Sequence, residues 1–471
     1  MADTRNGRPI RALLIAEQAN PEWVSVPLEG WSHSRAIAQR VDIDAHVVTQ
    51  VRNREAFLRA GMVEGEDFTA IDSEKIAKPL YNLANKLRGG KGVGWTMIMA
   101  ATALSYPYFE RQVWATFGDD LRAGKYDLVH RITPLSPTVN SSLAKRCKSI
   151  GVPFVMGPLN GGVPWPKEYD HVRRAEREWL SYVRPLHRLL PGHGATFRNA
   201  TAVIAGSTDT HRLMPASTHG KLVYIPENAV DPARFPDLDR SADAIDEPAD
   251  RFAGDPLRII FVGRMVPYKG PDVLLEAAAD LIRDGRVELT YAGDGPLFDG
   301  LKRYAEDHGL GAGVRLLGRV PHEQLGEELK RSAVFAFPSI REFGGAVVLE
   351  AMAMGVVPLV VGYGGPAELV TESTGYAVPM DTREALVRAF ADRLAALAAD
   401  PSELQAMSVA GRSRVATHFT WAAKARQVAE VYRWATGRRD DRPDYDMPLH
   451  DTSSASHRPD AEVPRAARMM A

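Results

Sequence analysis

The sequence predicts an α/β protein made of two doubly wound domains in tandem, and three observations lead to this fold. The chain has 471 residues, more than one hydrophobic core usually organises. Short runs of Val, Ile and Leu alternate with longer amphipathic stretches, as in buried parallel strands joined by crossover helices. A segment rich in Asp, Pro and Ala, FPDLDRSADAIDEPADRFAGD, separates two such series.

Each series contains six runs that we expect to be strands. They cover residues 12–16, 45–49, 126–130, 153–157, 202–206 and 222–226, and then 257–263, 287–293, 314–318, 333–339, 356–361 and 374–378. The predicted units are an amino-terminal domain (1–235), a linker (236–256), a carboxyl-terminal domain (257–412), a helix packing back towards the first domain (413–437) and a disordered polar tail (438–471). A ligand cleft is expected at the carboxyl ends of the strands.

Composition excludes several classes of function. With 58 basic and 59 acidic side chains the formal net charge is −1, so nothing favours nucleic acid as a partner. The single cysteine, Cys147, allows no intrachain disulfide, and no Cys/His spacing predicts a zinc site. These features indicate a cytoplasmic protein. No run of about 18 apolar residues predicts a membrane span, whereas basic amphipathic segments at 75–95 and 171–193 fit either a peripheral position on the inner membrane face or a solvated helix face.

Two cations follow the first strand of the second series. In LRIIFVGRMVPYKGPDVLLEAA, Arg264 and Lys269 lie between a strand end and a helix expected to begin near Pro271. Cations beside a helix amino terminus favour a phosphate or diphosphate, because the helix dipole and free amides add to their charge. A solvated basic loop is the alternative, and the position at a strand end favours the anion site.

Two carboxylates flank a pair of glycines in REFGGAVVLEAMAMG. Glu342 lies in the loop, and Glu350 is expected about one turn inside the following helix, facing the same cleft. Paired acids could act as the proton donor and nucleophile of a glycosidase, or could be a solvated loop residue and an early helical charge. The glycines Gly344 and Gly345 would let a ligand approach bare amides.

The motifs of the second half, taken together, resemble the donor-binding half of the family 4 retaining glycosyltransferases, which have the GT-B fold of two Rossmann-like domains facing across a cleft. The resemblance rests on GRMVPYKG, AGDGP, LLGRV, PSIREFGGAVVLEAMAMGVVP and GYGGPAELV, in this order, with Glu342 and Glu350 as the E-x7-E signature. Upstream, IPENAVDPARF is similar to that family's interdomain segment.

The resemblance implies roles for individual residues. Arg264 and Lys269 would hold the donor diphosphate, Glu350 the ribose and Glu342 the transferred sugar. Further donor-side residues are Gly263, Gly293, Arg319 and Val320 beside the nucleotide, and Gly344, Gly345 and Ala346 offering backbone amides. The two cations could do the work of a metal, so no metal or other cofactor is expected.

The amino-terminal half should recognise the acceptor, and there the resemblance is weaker. Acceptor-side candidates are Asn20, Glu22 and Trp23 after the first strand, together with Asn160, Gly161 and Gly162 in the glycine loop MGPLNGG. His130, expected at a strand end, is a candidate catalytic residue, although the position matching the family's reactive histidine holds Ile132.

The predicted function is that of a retaining hexosyltransferase moving a sugar from a nucleotide-diphosphate sugar to a glycan, lipid-linked or other hydroxyl acceptor, in bacterial surface polysaccharide or glycolipid synthesis. A sugar-nucleotide epimerase or phosphorylase of the same fold, and a catalytically idle nucleotide-sugar-binding protein, stay open. The sequence does not fix the nucleobase, the sugar or the acceptor.

Overall fold

The computed structural model describes residues 7–87, 95–170, 192–235 and 256–445, together with Leu238, Arg251, Phe252 and Met447. Within these residues the chain forms two parallel sheets of seven and six strands, one in each half of the chain. The predicted two-domain α/β fold is therefore confirmed.

The amino-terminal sheet has the order β3-β2-β1-β4-β5-β6-β7 and the carboxyl-terminal sheet the order β10-β9-β8-β11-β12-β13. The strands of the first are β1 (Ile10–Ala16), β2 (Ile43–Gln50), β3 (Phe68–Ile71), β4 (Leu128–Thr133), β5 (Phe154–Leu159), β6 (Ala202–Ala205) and β7 (Leu222–Tyr224). Those of the second are β8 (Leu257–Val262), β9 (Val287–Ala292), β10 (Val314–Leu316), β11 (Val334–Phe337), β12 (Val357–Val361) and β13 (Tyr376–Val378).

Helices cover both faces of each sheet, as crossover connections between parallel strands require. The described helices of the first half are α1 (Val26–Ala38), α2 (Arg54–Arg59), α3 (Glu74–Leu87), α4 (Trp95–Arg122), α5 (Ser142–Ser149), α6 (His193–Asn199) and α7 (Thr208–Leu213). Those of the second are α8 (Pro271–Arg283), α9 (Phe298–Asp307), α10 (His322–Arg331), α11 (Ala346–Ala353), α12 (Gly364–Leu369), α13 (Arg383–Ala399), α14 (Leu404–His418) and α15 (Trp421–Ala435).

The neighbours β1 and β4, and likewise β8 and β11, mark the points where the strand order reverses in each sheet. At such a point the two adjoining crossovers leave on opposite faces and open a crevice at the carboxyl ends of the strands. Both sheets thus place a crevice where the sequence predicts the cleft.

The last helix completes the core of the first domain. Alternate residues of β1 belong to apolar clusters on opposite faces of its sheet, and one of these clusters includes Val428, Ala429 and Tyr432 of α15. Arg433 of α15 also pairs with Asp42 at 2.5 Å. The carboxyl-terminal helix therefore packs on the amino-terminal domain.

Residues 438–445 correct the predicted start of the disordered tail. Arg438 donates to the carbonyl oxygen of Arg8 at 2.7 Å, and the Tyr445 hydroxyl donates to that of Gln427 at 2.5 Å. Their hydrogen bonds and the half-buried ring of Tyr445 hold this segment against α15 and the first domain, so a boundary at 438 lies too early. The predicted tail beyond it falls outside the described residues, apart from the buried Met447.

Of the predicted linker, the described Leu238 and Arg251 are buried on the carboxyl-terminal domain, and Arg251 donates to the carbonyl oxygens of Ser332 and Met354. The basic segment predicted at 171–193 lies almost wholly outside the described residues. In the part of the chain that is described, no helix combines the length and apolar character needed to cross a bilayer.

A buried carboxyl group joins the two domains. Glu368 of α12 accepts hydrogen bonds from the backbone amide and hydroxyl of Thr208 in α7, at 2.9 and 2.6 Å, and from the Tyr224 hydroxyl at 2.6 Å. Three donors on two elements of the first domain thus converge on one side chain of the second. Because Glu368 is buried, this contact fixes the domains with little competition from water.

The loops that follow β8 and β9 pass so close to each other that a side chain at Gly293 would not fit. Gly293 has a φ of 150°, and a Cβ there would lie 1.9 Å from the carbonyl oxygen of Gly263. We expect Gly293→Ala to lower the free energy of unfolding by more than ~2 kcal/mol, from backbone strain and overlap together. Calorimetric melting of the purified variant measures this.

The matched control is Gly285→Ala, because Gly285 also has a positive φ, 72°, but a Cβ there meets nothing within 4 Å. It should cost only the conformational penalty, about 1 kcal/mol. Equal melting temperatures for the two variants would contradict the predicted overlap.

Candidate functional site

Two cavities open at the carboxyl ends of the strands. The first, of about 420 Å³, lies within the carboxyl-terminal domain, and we call it the nucleotide-side cavity after the ligand that the sequence analysis expects there. It is lined by Val262, Gly263, Arg264, Ala292, Gly293, Asp294, Gly295, Arg319, Val320 and Leu325. Arg264 and Arg319 are exposed, so both guanidinium groups are accessible to a ligand there.

The second, the interdomain cavity, has a volume of about 400 Å³ and takes its walls from both domains. The amino-terminal wall consists of Ser25, Val26, Glu29, Leu135, Asn160, Gly162, Val163, Glu227 and Asn228, and the carboxyl-terminal wall of Arg341–Ala346. A ligand of the second domain would here meet a ligand of the first.

An ion pair connects a residue of one cavity wall with a lysine that contacts the other wall. The Lys269 Nζ atom is 2.8 Å from Glu342 Oε2, with the two side chains 16% and 23% exposed. Lys269 also packs beside Gly263, a nucleotide-side residue, whereas Glu342 lines the interdomain cavity. An anion entering between the cavities would compete with the Glu342 carboxylate for the Lys269 ammonium group.

The amino terminus of α11 supplies backbone donors to the interdomain cavity. Gly344 and Gly345 precede the first residue of this helix, Ala346, and all three line the cavity. A Cβ at Gly344 would lie 1.6 Å from Asn228 Nδ2, so the glycine allows the loop to touch the first domain. The free amides of the first turn and the helix dipole favour a negative charge at this point.

Most of the predicted donor-side residues lie on the walls of the two cavities, whereas Lys269 and Glu350 belong to neither lining. Gly263, Arg264, Gly293, Arg319 and Val320 line the nucleotide-side cavity, while Glu342 and the Gly344–Ala346 turn line the interdomain cavity. Glu350 lies one turn into α11 and is half-buried there.

His130 is placed differently from the prediction. Strand β4 continues to Thr133, so His130 lies within the strand, with no exposed surface. Its Nε2 donates to the carbonyl oxygen of Gly157 at 2.7 Å, and its Nδ1 accepts from the Tyr432 hydroxyl at 2.6 Å. Burial lowers the pKa of His130 to about 4, so the ring is neutral near pH 7. The catalytic assignment of His130 is therefore wrong: the residue ties β4 to α15. Ile132 is also buried in this core.

This role predicts the effect of removing the tyrosine hydroxyl. Tyr432→Phe leaves the buried Nδ1 of His130 without its donor, so we expect a loss of about 1–3 kcal/mol in the free energy of unfolding. Nucleotide affinity should be unchanged, because neither residue lines a cavity. Thermal melting and titration calorimetry measure the two quantities, and weaker nucleotide binding at unchanged stability would contradict the structural role.

The acceptor-side candidates divide into two groups. Asn160 and Gly162 line the interdomain cavity, and Gly161 between them donates its amide to the Thr210 hydroxyl. Asn20 is buried, and its side-chain oxygen accepts the Glu22 amide and so shapes its own loop. Glu22 forms a surface ion pair with Arg59, and Trp23 is 45% exposed. Asn20, Glu22 and Trp23 are outside the lining of both cavities, and their assignment to the acceptor stays a prediction.

The residues of the interdomain cavity that the sequence did not reveal include Glu29, Glu227, Asn228 and Arg341. Burial raises the pKa of Glu29 to about 8, and burial together with the charge of Glu29 raises that of Glu227. The available signal was the IPENAVD segment, which contains Glu227 and Asn228 and was treated only as a boundary. No local signal pointed to Glu29, because it lies in α1, whose sequence is that of an ordinary amphipathic helix.

Comparison with known proteins places the site in a family context. Residues 244–414 match the family described as Glycosyl transferases group 1. A GDP-mannose-dependent α-(1-6)-phosphatidylinositol monomannoside mannosyltransferase of Mycolicibacterium smegmatis is 34% identical over 201 residues, which are 40% of this chain and 50% of that protein. A D-inositol 3-phosphate glycosyltransferase of Corynebacterium urealyticum is 35% identical over 40% of this chain and 46% of that protein. The chain thus spans about half the length of these curated relatives.

Solved structures extend the comparison to the whole fold. Anabaena HepE in complex with UDP aligns with a TM-score of 0.52 at 16% identity, over 89% of this chain and 99% of that one. Sucrose-phosphate synthase of Thermosynechococcus elongatus aligns with a TM-score of 0.53 at 19% identity, over 91% and 100%. The chain therefore has the GT-B fold, and its carboxyl-terminal domain carries the match to the glycosyl transferases group 1 family.

Proposed function

We propose that this protein is a retaining glycosyltransferase of family 4 type, which moves a sugar from a nucleotide-diphosphate sugar to a hydroxyl acceptor. The observation that carries the proposal is the Lys269–Glu342 pair between the two cavities. A cation at this point meets a diphosphate that extends from the nucleotide-side cavity, and the carboxylate beside it meets the sugar that the diphosphate carries.

The donor then lies along the strand ends of the second domain. Arg319 and Val320 flank the nucleobase, Glu350 accepts hydrogen bonds from the ribose, and Arg264 with Lys269 holds the diphosphate. The Gly344–Ala346 amides reach the sugar and its attached phosphate from the interdomain cavity. Glu342 acts by positioning the sugar, because its carboxylate is held by a lysine and is no free nucleophile.

The same groups account for catalysis. As the bond between the anomeric carbon and the phosphate oxygen breaks, negative charge grows on the departing diphosphate, and preorganised cations and amides stabilise it. The acceptor oxygen bonds to the anomeric carbon from the face that the phosphate leaves, and its proton passes to a phosphate oxygen. Configuration is retained, and with Arg264 and Lys269 opposite the diphosphate, the reaction as proposed is independent of metal.

The reaction class leaves donor and acceptor to be identified. One relative is named for GDP-mannose and a phosphatidylinositol mannoside, and HepE was solved with UDP. We propose a glycan or lipid-linked acceptor in surface polysaccharide or glycolipid synthesis, on the cytoplasmic side of the membrane and with peripheral contact to it. Nothing in the charge of the chain favours nucleic acid.

A thermal-shift screen of UDP, GDP and TDP with their sugar conjugates tests the donor site. A ligand present at 100 times its dissociation constant adds about 2.7 kcal/mol of stability, which raises the melting temperature by several degrees. The stabilising sugar nucleotide should then be consumed in the presence of acceptor extract, with and without EDTA. Binding without consumption would support the idle binding protein, consumption without acceptor would support the epimerase, and dependence on a divalent cation would contradict the metal-free mechanism.

A further inference from the structure

The amino-terminal wall of the interdomain cavity carries two carboxyl groups with unused hydrogen-bonding capacity. Glu227 is 7% exposed, and its Oε1 accepts from Asn160 Nδ2 at 3.0 Å. Its Oε2 is buried without a hydrogen-bond partner among the described residues, and so is Oε1 of Glu29. All three residues line the cavity.

Unused acceptors of this kind are costly. A buried carboxyl oxygen without a partner loses its interaction with water and gains nothing in exchange. A ligand in the interdomain cavity that donates hydrogen bonds would recover the loss. The position fits such a ligand, because the opposite wall is formed by Glu342 and the Gly344–Ala346 turn, where the transferred sugar is placed.

The charges around the pair decide what kind of ligand fits. Lys424 of α15 is fully buried, packs over the Phe419 ring and interacts electrostatically with Glu29, but it is outside the cavity lining. His33 Nε2 is bonded to the backbone oxygen of Glu227, and burial lowers the pKa of His33 to about 3, so this ring brings no positive charge. Arg341 lies on the opposite wall, where its Nε donates to the carbonyl oxygen of Val163 at 3.2 Å and its guanidinium group stacks over the Trp165 ring. The charged and amide side chains on the amino-terminal wall are thus Glu29, Glu227 and the two amides Asn160 and Asn228.

The protonation of the pair adds a second requirement. Burial raises the pKa of both carboxyl groups, and each is influenced by its neighbours. The raised pKa values favour carboxyl groups that keep a proton, and a protonated carboxyl group can donate as well as accept. A hydroxyl group does the same, whereas a phosphate or carboxylate would bring acceptor oxygens and negative charge to a wall of carboxyl oxygens.

We propose that Glu29, Asn160 and Glu227 form an acceptor subsite for a neutral, hydroxyl-rich group such as a sugar ring or polyol, and that a phosphate or carboxylate is disfavoured there. The identification of the bound group as the acceptor substrate rests on the proposed transferase function. The preference for a neutral, hydroxyl-rich group rests on the cavity wall alone. A preference for neutral groups would distinguish this chain from the relatives named for D-inositol 3-phosphate. The match to such a relative covers 40% of this chain.

Saturation-transfer NMR with the full chain tests the subsite without requiring turnover. The ligands are p-nitrophenyl glucoside, galactoside and mannoside and myo-inositol, compared with the matching sugar and inositol phosphates, each in the presence of UDP or GDP. At least one neutral compound should bind, its phosphorylated partner should bind at least about tenfold more weakly, and Glu227→Gln should weaken the neutral compound by about tenfold.

Glu29→Gln is the second variant, and Glu55→Gln on the exposed surface of α2 is the control. Both cavity variants should melt close to wild type, because the glutamine side chain is uncharged and has nearly the shape of a protonated glutamate. Where turnover is measurable, Glu227→Gln should raise the KM for acceptor and leave the KM for donor unchanged.

The outcomes separate the two proposals. Neutral binding that is lost in Glu227→Gln, in a protein that transfers no sugar, keeps the subsite and rejects the transferase. Transfer with an unchanged acceptor KM in Glu227→Gln rejects the subsite and keeps the transferase. Tighter binding of the phosphorylated compounds, or binding of none of the neutral ones, overturns the subsite.

Discussion

Lys269→Ala should reduce sugar transfer by about 10²- to 10³-fold, mostly in kcat. In the proposed mechanism the Lys269 ammonium group meets the diphosphate as its charge grows, and removing one preorganised donor from a developing oxyanion costs about 3–4 kcal/mol. Nucleoside diphosphate binding should weaken less, because Arg264 and the α11 amides remain. Steady-state kinetics with the sugar nucleotide found in the screen, alongside calorimetry with the nucleoside diphosphate, separate the two effects.

Two further variants sharpen this expectation. Lys269→Arg keeps the charge and should retain more activity than alanine, while Lys302→Ala removes an exposed lysine of the same domain and should match wild type. Because Lys269 is half-buried beside Gly263, melting curves must show that the alanine variant is folded. A folded Lys269→Ala enzyme with wild-type kcat would remove this residue from the mechanism.

Glu342→Gln should reduce kcat/KM for the sugar nucleotide by about 10- to 100-fold, the value of hydrogen bonds to a charged group. The change also takes the carboxylate partner from Lys269, so the ammonium group is released to the diphosphate. Nucleoside diphosphate should therefore bind at least as tightly as it does to wild type, although transfer is slow. Calorimetric titration and initial rates test this opposite movement of affinity and turnover.

Glu350→Gln is the matched comparison, since it alters the other acid of the same motif. Its expected effect is weaker binding of nucleoside diphosphate, through the ribose, with a smaller change in kcat. Glu372→Gln, on the exposed surface of the same domain, is the inert control. If Glu342→Gln weakened nucleotide binding as strongly as Glu350→Gln, the assignment of Glu342 to the sugar would be wrong.

Much of this architecture was predictable because its signals are local. Each of the twelve predicted strands is present, since a strand buried on both faces reads as a continuous apolar run. The strand that was not predicted, β3, has only four residues and lies at the edge of its sheet. Two of its residues are only partly buried, so it lacks a continuous apolar run. Several glycines and cations of the cavity walls were predictable, because such residues after strand ends mark loops at the carboxyl edge of a parallel sheet.

The rest depends on contacts between distant parts of the chain. His130 looked like a cleft residue because YDLVH reads as a complete strand, and nothing local reveals that Tyr432, far along the chain, caps its ring. Glu227 and Glu29 acquire their character only when α1 and the segment after β7 meet beneath α15. Local periodicity carries no information about such meetings, so these two residues of the amino-terminal wall could not be predicted from it.

The position of the last helix has a consequence for biosynthesis. The amino-terminal domain leaves the ribosome first, yet the layer of its core that contains Val428 and Tyr432 is missing until α15 is made. The whole carboxyl-terminal domain is translated in between, which takes tens of seconds at roughly 5–20 residues per second. During that interval part of one apolar face of the first sheet lacks its cover, so the nascent chain needs a chaperone or loose contacts of its own to shield it. The first domain can then complete its core only after the second has been synthesised.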